Sequence, residues 1–385
     1  MPTRVPFYDL TAMTDEVRAE VDRAWAALLA AGDFVGGAAV ERFEEDWARY
    51  CGTTEAVAVG NGTDSLMLIL RALGIGPGDE VVLPANTFVA TAEAVVMAGA
   101  TPRFADVDPD TLLLSPDTLR PAIGPCTAAV IAVHLYGQPA DMDALGEVAA
   151  RAGLAMLEDA AQAHGASWWG RPAGSLSRAG SFSFYPGKNL GAFGDAGAVV
   201  TSDTELARAL RSLRNHGRKA GSHYLHDRIG TNSRLDTIQA AVLSAKLPLL
   251  DRWTEARRAI VGRYRHAVEG GPIRLVATAP GAEPAYHLAV GLVPDRDAVR
   301  AFLDRRGVAT AVHYPVPCHQ QDPYRRYADG PLPVAEQAAG RVVSLPLFPH
   351  MTAVQVDQVC QALSEVTRQD GATGAVHEGT AVVRG

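Results

Sequence analysis

EAVAVGNGTDSLMLILRALG (55–74) changes its hydrophobic period halfway along. The first five residues form a short apolar run, GNG punctuates it, and Leu66, Ile69, Leu70 and Leu73 then recur at helical spacing. The reading is strand, turn, helix. The same grammar repeats outward from it. EVVLPA (80–85) leads into TFVATAEAVVMAG (87–99) and then into TPRFADVD (101–108). AAVIAVHLYG (128–137) precedes the amphipathic DMDALGEVAARAG (141–153), and LAMLEDAA (154–161), SFSFYPG (181–187) and AGAVVTSD (196–203) read as further buried strands. Continuous apolar strands alternating with helices predict an α/β chain, a mostly parallel sheet covered by helices on both faces. In such sheets ligands gather beyond the carboxyl ends of the strands.

Residues 232–265 read as largely helical and arginine-rich, a long connecting helix. AYHLAVGLV (285–293) and DRDAVRAFLDRRG (295–307) then suggest a strand and a helix of a smaller α+β unit. The expected division is a large domain over 1–250, a small C-terminal domain over 251–370 and a frayed tail over 371–385. The 385 residues carry a formal net charge of −8, which argues against a general nucleic-acid binder. The four cysteines (Cys51, Cys126, Cys318, Cys360) lie far apart with no metal-ligand spacing, so no metal is expected. The first residues lack a signal-peptide pattern and no apolar stretch is long enough to span a bilayer, which points to the cytoplasm and away from the membrane.

All but three of the 35 basic residues are arginine; the lysines are Lys188, Lys219 and Lys246. Lys188 follows an apolar strand in a glycine-flanked loop, about 29 residues after Asp159, which itself ends an apolar strand. Lys219 sits in a polar, arginine-rich loop and Lys246 on a helix, and both read as surface ions. Taken singly, GNGTD serves as well for a plain turn as for an anion site, and Asp159 as well for a helix N-cap. Taken in order, the three describe a pyridoxal phosphate site: an imine-forming lysine, an acid for the pyridinium nitrogen and a helix N-terminus for the phosphate.

The motifs GNGTDSL, TFVATAEAV, VHLYGQPADMDAL, EDAAQAHGA, SFSFYPGKNLGAFGDAGAVVT, LRNHG, NSRLDTIQAAVL, HYPVPCH and SLPLFPHM together resemble the nucleotide-sugar aminotransferases of the DegT/StrS type, from about residue 5 to 365. The resemblance implies fold type I, the aspartate aminotransferase-like architecture. It makes Lys188 the cofactor-bound lysine and proton shuttle, Asp159 the partner of the ring nitrogen and Gln162 that of the ring hydroxyl. Phe88 would stack on the ring, and Gly62, Thr63 and Ser183 would hold the phosphate, completed by Asn232 from a second subunit. Tyr185, His164, His313, Tyr314 and His319 would face the sugar nucleotide, although His164 and His319 also suit structural hydrogen bonding.

The family uses L-glutamate as donor, and the look of the motifs is nearest to enzymes that aminate C3 of a dTDP-linked 3-keto-6-deoxyhexose for antibiotic or polysaccharide sugars. The site would be shared in a homodimer. The alternatives are amination at C4, a keto-cyclitol acceptor, or a cofactor-binding regulatory protein. Neither the charge nor any helix-turn-helix extension supports the last.

Overall fold

A computed structural model describes residues 4–377. Two helices, α1 (Thr11–Ala31) and α2 (Ala38–Cys51), precede the alternation read from the sequence: β1 (Glu55–Val59), α3 (Gly62–Ala72), β2 (Glu80–Pro84), α4 (Val89–Ala98) and β3 (Thr101–Ala105). It continues through α5 (Pro116–Leu119), β4 (Thr127–Val133), α6 (Met142–Arg151) and β5 (Ala155–Asp159). A small ribbon, β6 (Ser167–Trp168) and β7 (Arg171–Pro172), separates these from β8 (Gly180–Ser183), β9 (Gly197–Thr201) and α7 (Thr204–Leu213).

The sheet has seven strands in the order β1-β9-β8-β5-β4-β2-β3. Five adjacent strands run parallel, while β9 lies antiparallel to both β8 and β1. The period of two along each strand divides the core between its faces. Val57 and Val59 of β1 pack with α3 and α4 on one side. Ala56 and Ala58 pack with Phe43 and Trp47 of α2 on the other. Both faces are therefore dry, which is why the strands read as unbroken apolar runs.

The expected single connecting helix is instead two. α8 (Thr237–Lys246) and α9 (Leu250–Ala267) are separated by a 3-10 turn over Leu247–Leu249. Pro248 lacks the N–H that a continuous helix needs, so the helix is interrupted there. α9 leads to the second sheet, β10 (Arg274–Leu275), β12 (Ala289–Leu292) and β13 (Val342–Leu345), which is antiparallel. Between these strands lie β11 (Ala282–Glu283), which pairs with β6, and the helices α10 (Arg296–Arg305) and α11 (Pro333–Arg341). α12 (Ala353–His377) closes a separate core with α9 and α10, which Val5 joins from the start of the chain. The tail expected over 371–385 begins as the end of α12, and from 378 it lies outside the described residues. Among the described residues no helix is long and apolar enough to cross a membrane.

Candidate active site

At the carboxyl ends of β1, β5 and β8, three local sequences converge. The first is the start of α3. Asn61 caps it by accepting the Asp64 N–H at 2.8 Å, and Asp64 in turn accepts the Ser233 hydroxyl at 2.6 Å. The helix begins at Gly62 and Thr63, whose backbone N–H groups have no carbonyl behind them in the helix. Gly62 lies so near β8 that a Cβ added to it would stand 2.7 Å from the Ser183 Cβ. A helix N-terminus, the Thr63 hydroxyl and the half-buried Ser183 hydroxyl thus share one spot, a fitting cradle for a phosphate.

The second is the end of β5. Asp159 is 6% exposed, and its carboxylate accepts the Thr91 hydroxyl at 2.7 Å and the Ala161 N–H at 3.2 Å. Thr91 is itself joined to Thr87 at 2.8 Å, so the first turn of α4 sets the carboxylate's angle. Three residues after Asp159, in the turn that follows β5, the Gln162 side-chain oxygen accepts the Tyr136 N–H at 2.6 Å and its amide donates to the Tyr314 hydroxyl at 3.2 Å. Tyr136 also donates to the His313 carbonyl at 2.6 Å, which ties the carboxyl end of β4 to the segment 313–314. Phe88 caps α4 with its ring half exposed, 5.4 Å from that of Tyr314.

The third is the loop after β8. Lys188 donates its N–H to the Tyr185 carbonyl at 2.8 Å. Burial pulls its amine down to about 8, against an upward pull from the Asp159 charge. An amine and a carboxylate that sense each other within a largely dry strand end are what a Schiff-base lysine and a pyridinium partner require. The cradle, the acid and the amine fit pyridoxal phosphate.

The histidines divide. His313 donates or accepts at Nδ1 with the Ser344 hydroxyl at 2.8 Å and stacks on Phe7, and burial together with Lys188 lowers it to about 4. His164 is fully buried among Trp47, Phe182 and Phe184, and burial, followed by the Lys188 charge, lowers it to about 3. It is a neutral ring in the core, one layer behind the amine. His319 is 4% exposed and bonded to Glu336 at 3.0 Å, which ties it to α11. Tyr185 is exposed. Asn232 is exposed as well, in an isolated bridge to Asn215, while its neighbour Ser233 turns inward and accepts the Gly60 N–H at 3.0 Å.

Several participants escaped the sequence reading. Thr91 lies inside a quoted motif, but its role needs the 68-residue separation to Asp159 to be closed in space. His287, two residues before β12, is held neutral by burial and by Lys188, so it belongs to the same cluster. Gly137, at φ +94°, has no room for a Cβ because the Gln162 carbonyl and the His287 N–H both press on it. Lys246 overturns its expectation as a surface ion. It is 2% exposed, its amine donates to the Gly191 carbonyl at 2.6 Å, and it lies 4.5 Å from the Phe193 ring centre. Lys219 is exposed, as read.

A model of the DegT/DnrJ/EryC1/StrS aminotransferase family matches residues 15–364. Over 365 residues the chain is 49% identical to a dTDP-3-amino-3,4,6-trideoxy-alpha-D-glucose transaminase of Streptomyces venezuelae, covering 94% of this chain and 96% of the relative. Among solved structures, S. venezuelae DesV in complex with a ketimine intermediate superposes with a TM-score of 0.92 at 49% identity, covering 94% of this chain and 98% of that one. NtdA from Bacillus subtilis with bound cofactor PMP gives a TM-score of 0.88 at 31% identity, covering 96% and 86%.

Proposed function

The chain belongs to the DegT/DnrJ/EryC1/StrS aminotransferase family, and from that premise we propose that it moves the amino group of L-glutamate to C3 of a dTDP-linked 3-keto-6-deoxyhexose. Glutamate leaves as 2-oxoglutarate, and the carbonyl of the sugar becomes an amine. The observation that carries the reading is the pairing of an amine lowered to about 8 with the buried carboxylate of Asp159. The choice of C3 rests on likeness to the 3-amino transaminase of S. venezuelae.

When bound, pyridoxal phosphate supplies the electron sink for the carbon that gains or loses a proton. Gly62, Thr63 and Ser183 would hold its phosphate, Asp159 would face the ring nitrogen, Gln162 the ring hydroxyl and Phe88 the ring face. Thr91 fixes the Asp159 carboxylate by a hydrogen bond, which aims it without neutralising it. With its amine at about 8, Lys188 is neutral in roughly a tenth of molecules at pH 7, against well under a thousandth for an ordinary lysine. That neutral Nζ is the form that would hold the cofactor through its aldehyde carbon, with loss of water, and when free it would take the proton from glutamate Cα and return one to sugar C3.

His313 reaches the substrate side uncharged. Its Nδ1 is held by Ser344, which fixes the ring while Nε2 meets a sugar oxygen. Tyr185 and Phe88, both exposed, are the apolar surfaces a deoxysugar and a thymine would cover. Asn232, exposed at the surface, would complete the cradle of a second copy, so the active unit is a homodimer with shared sites. Antibiotic or polysaccharide sugar synthesis is the setting in which such a product is used.

The test is a panel of dTDP-3-keto and dTDP-4-keto sugars and a keto-cyclitol, each offered with glutamate while 2-oxoglutarate release is measured. Turnover with the 3-keto sugar nucleotide is expected. Turnover confined to the 4-keto sugars or the cyclitol refutes the acceptor assigned here.

A further inference from the structure

Lys246 is a buried cation that the chemistry above does not use. Among the described residues no carboxylate lies within ion-pair distance of it, and burying an ammonium without a counter-charge is costly. A leucine or methionine would fill the end of α8 at no such cost. The reason for an amine there has to lie in what it holds, and both of its partners belong to one loop: the carbonyl of Gly191 and the ring of Phe193.

That loop carries Lys188. It leaves β8 at Phe184, turns through Tyr185 and Pro186, and returns so that the Ala192 N–H donates to the Phe184 carbonyl at 2.8 Å. Gly191 touches the Pro186 backbone so closely that no side chain fits between them. Residues 184–192 therefore close into a pinched ring with Lys188 on its arc. The outgoing leg of the ring is gripped by one face of α8 at two points two turns apart: Lys246 on Gly191, and the Gln239 side-chain amide oxygen on the Phe193 N–H at 2.8 Å. Trp25 of α1 packs edge-on against Phe193 and donates to the Ile238 carbonyl at 2.9 Å, backing the grip from outside. On the inner side Asn189 donates to the Ala285 carbonyl at 2.9 Å.

We infer that Lys246 is a positioning residue for the amine of Lys188, holding the Gly191 carbonyl so that the pinched loop keeps its arc. The inference rests on the reading of Lys188 as the cofactor-bound lysine. Only two residues separate Gly191 from Lys188, so a loosened leg displaces the amine by a fraction of its side-chain length. A misplacement of about 1 Å is enough to slow a reaction by roughly two orders of magnitude. Lysine suits the place because it presents one small head to one carbonyl while its stem lies along the ring.

The test uses the full-length apo protein and pyridoxal phosphate as the probe. Capture is followed by borohydride reduction and peptide mass mapping at Lys188, over a range of pH. Capture at Lys188 should slow at least tenfold in Lys246→Met. Its pH midpoint should rise by at least half a unit, because a loosened loop admits water to an amine whose surroundings are Asp159, His164, His287 and His313. Lys246→Arg, which keeps a donor and a cation, should stay within threefold of the unaltered protein. Capture by Lys246→Met within threefold, with an unmoved midpoint, overturns the inference. If that variant does not fold, Gln239→Leu cuts the other grip from a partly buried position, and unaltered capture in it has the same force. Failure of the unaltered protein to be trapped at Lys188 overturns the functional reading itself, which is a different result from an unaffected Lys246 variant.

Discussion

Gly62→Ala adds a single methyl group to a helix start and is expected to cost the protein its cofactor. In the structure that methyl would lie 2.7 Å from the Ser183 Cβ and 3.2 Å from its Cα, where ordinary contact begins at 3.4 Å. The start of α3 and the end of β8 must part by about 0.7 Å, and neither is a flexible side-chain tip. Forced overpacking of this kind costs about 1–3 kcal/mol, against which the better helix propensity of alanine returns about 0.5–1 kcal/mol. The same displacement separates Ser183 from the N–H groups of Gly62 and Thr63, so a phosphate can be held by one side of the cradle and not both. The propensity gain bears on folding and not on the cradle, and every 1.4 kcal/mol is tenfold in affinity, so an overpacking cost of about 1–3 kcal/mol should weaken pyridoxal phosphate binding roughly 5- to 140-fold. The assay is absorbance titration of the apo protein with the cofactor, alongside thermal unfolding. Gly262→Ala is the control, since its site in α9 has nothing within 4 Å and should be neutral or slightly stabilising. Affinity in Gly62→Ala within threefold of the unaltered protein would refute the cradle.

Lys188→Ala should lose borohydride-trappable cofactor and all amino transfer, whereas Lys219→Ala, at an exposed loop position, should keep both. The rate of cofactor capture at Lys188 should climb with pH through about 8 and level off above it, because the neutral amine is the reacting form; a flat profile from pH 6 to 10 would contradict this. Lys246 is lowered to about 8 when folded and regains about 10.5 when unfolded, so the unfolded chain binds the extra proton between these values. The stability of the unaltered protein relative to Lys246→Met should therefore rise with pH across that window, by on the order of 3 kcal/mol, and fall back as pH drops through 8; denaturant melts at pH 7 and pH 10 read the difference. Mixing inactive Lys188→Ala with inactive Asn232→Ala should restore about a quarter of the activity if each site takes Asn232 from its neighbour, and no recovery after subunit exchange would place that asparagine elsewhere.

The residues that could be read from the chain are those whose chemistry is local. The helix-start half of the phosphate cradle lies within GNGTD (60–64), the acid ends one apolar strand and the amine follows the next, so their order along the chain exposes them, while the roles of Gln162 and Ser183 come from the family resemblance. The strands of the seven-stranded sheet could be read for a related reason: with both faces dry, its inner strands write themselves as nearly uninterrupted apolar runs, whereas the two-residue ribbon of β6 and β7 has no such signal. What was hidden depends on closure in space. Thr91, Tyr136 and His287 reach the site from three separate segments, and nothing in their immediate surroundings distinguishes them from ordinary core positions. Lys246 was misread because a lysine on a helix is usually solvated. The contrary signal was present in AAVLSAKLPLL (240–250), where the helix offers almost no polar face on which to place it. The break at Pro248 was also written there, one residue beyond the last turn that proline allows.

The most direct measurement follows nitrogen itself. The protein, loaded with pyridoxal phosphate, is given [15N]glutamate and a dTDP-3-keto-6-deoxyhexose, and the product is examined by NMR for coupling between 15N and the sugar carbons. The account predicts label on C3, with one 2-oxoglutarate formed for each amine. Label on C4, or 2-oxoglutarate formed with no label entering the sugar, would contradict it.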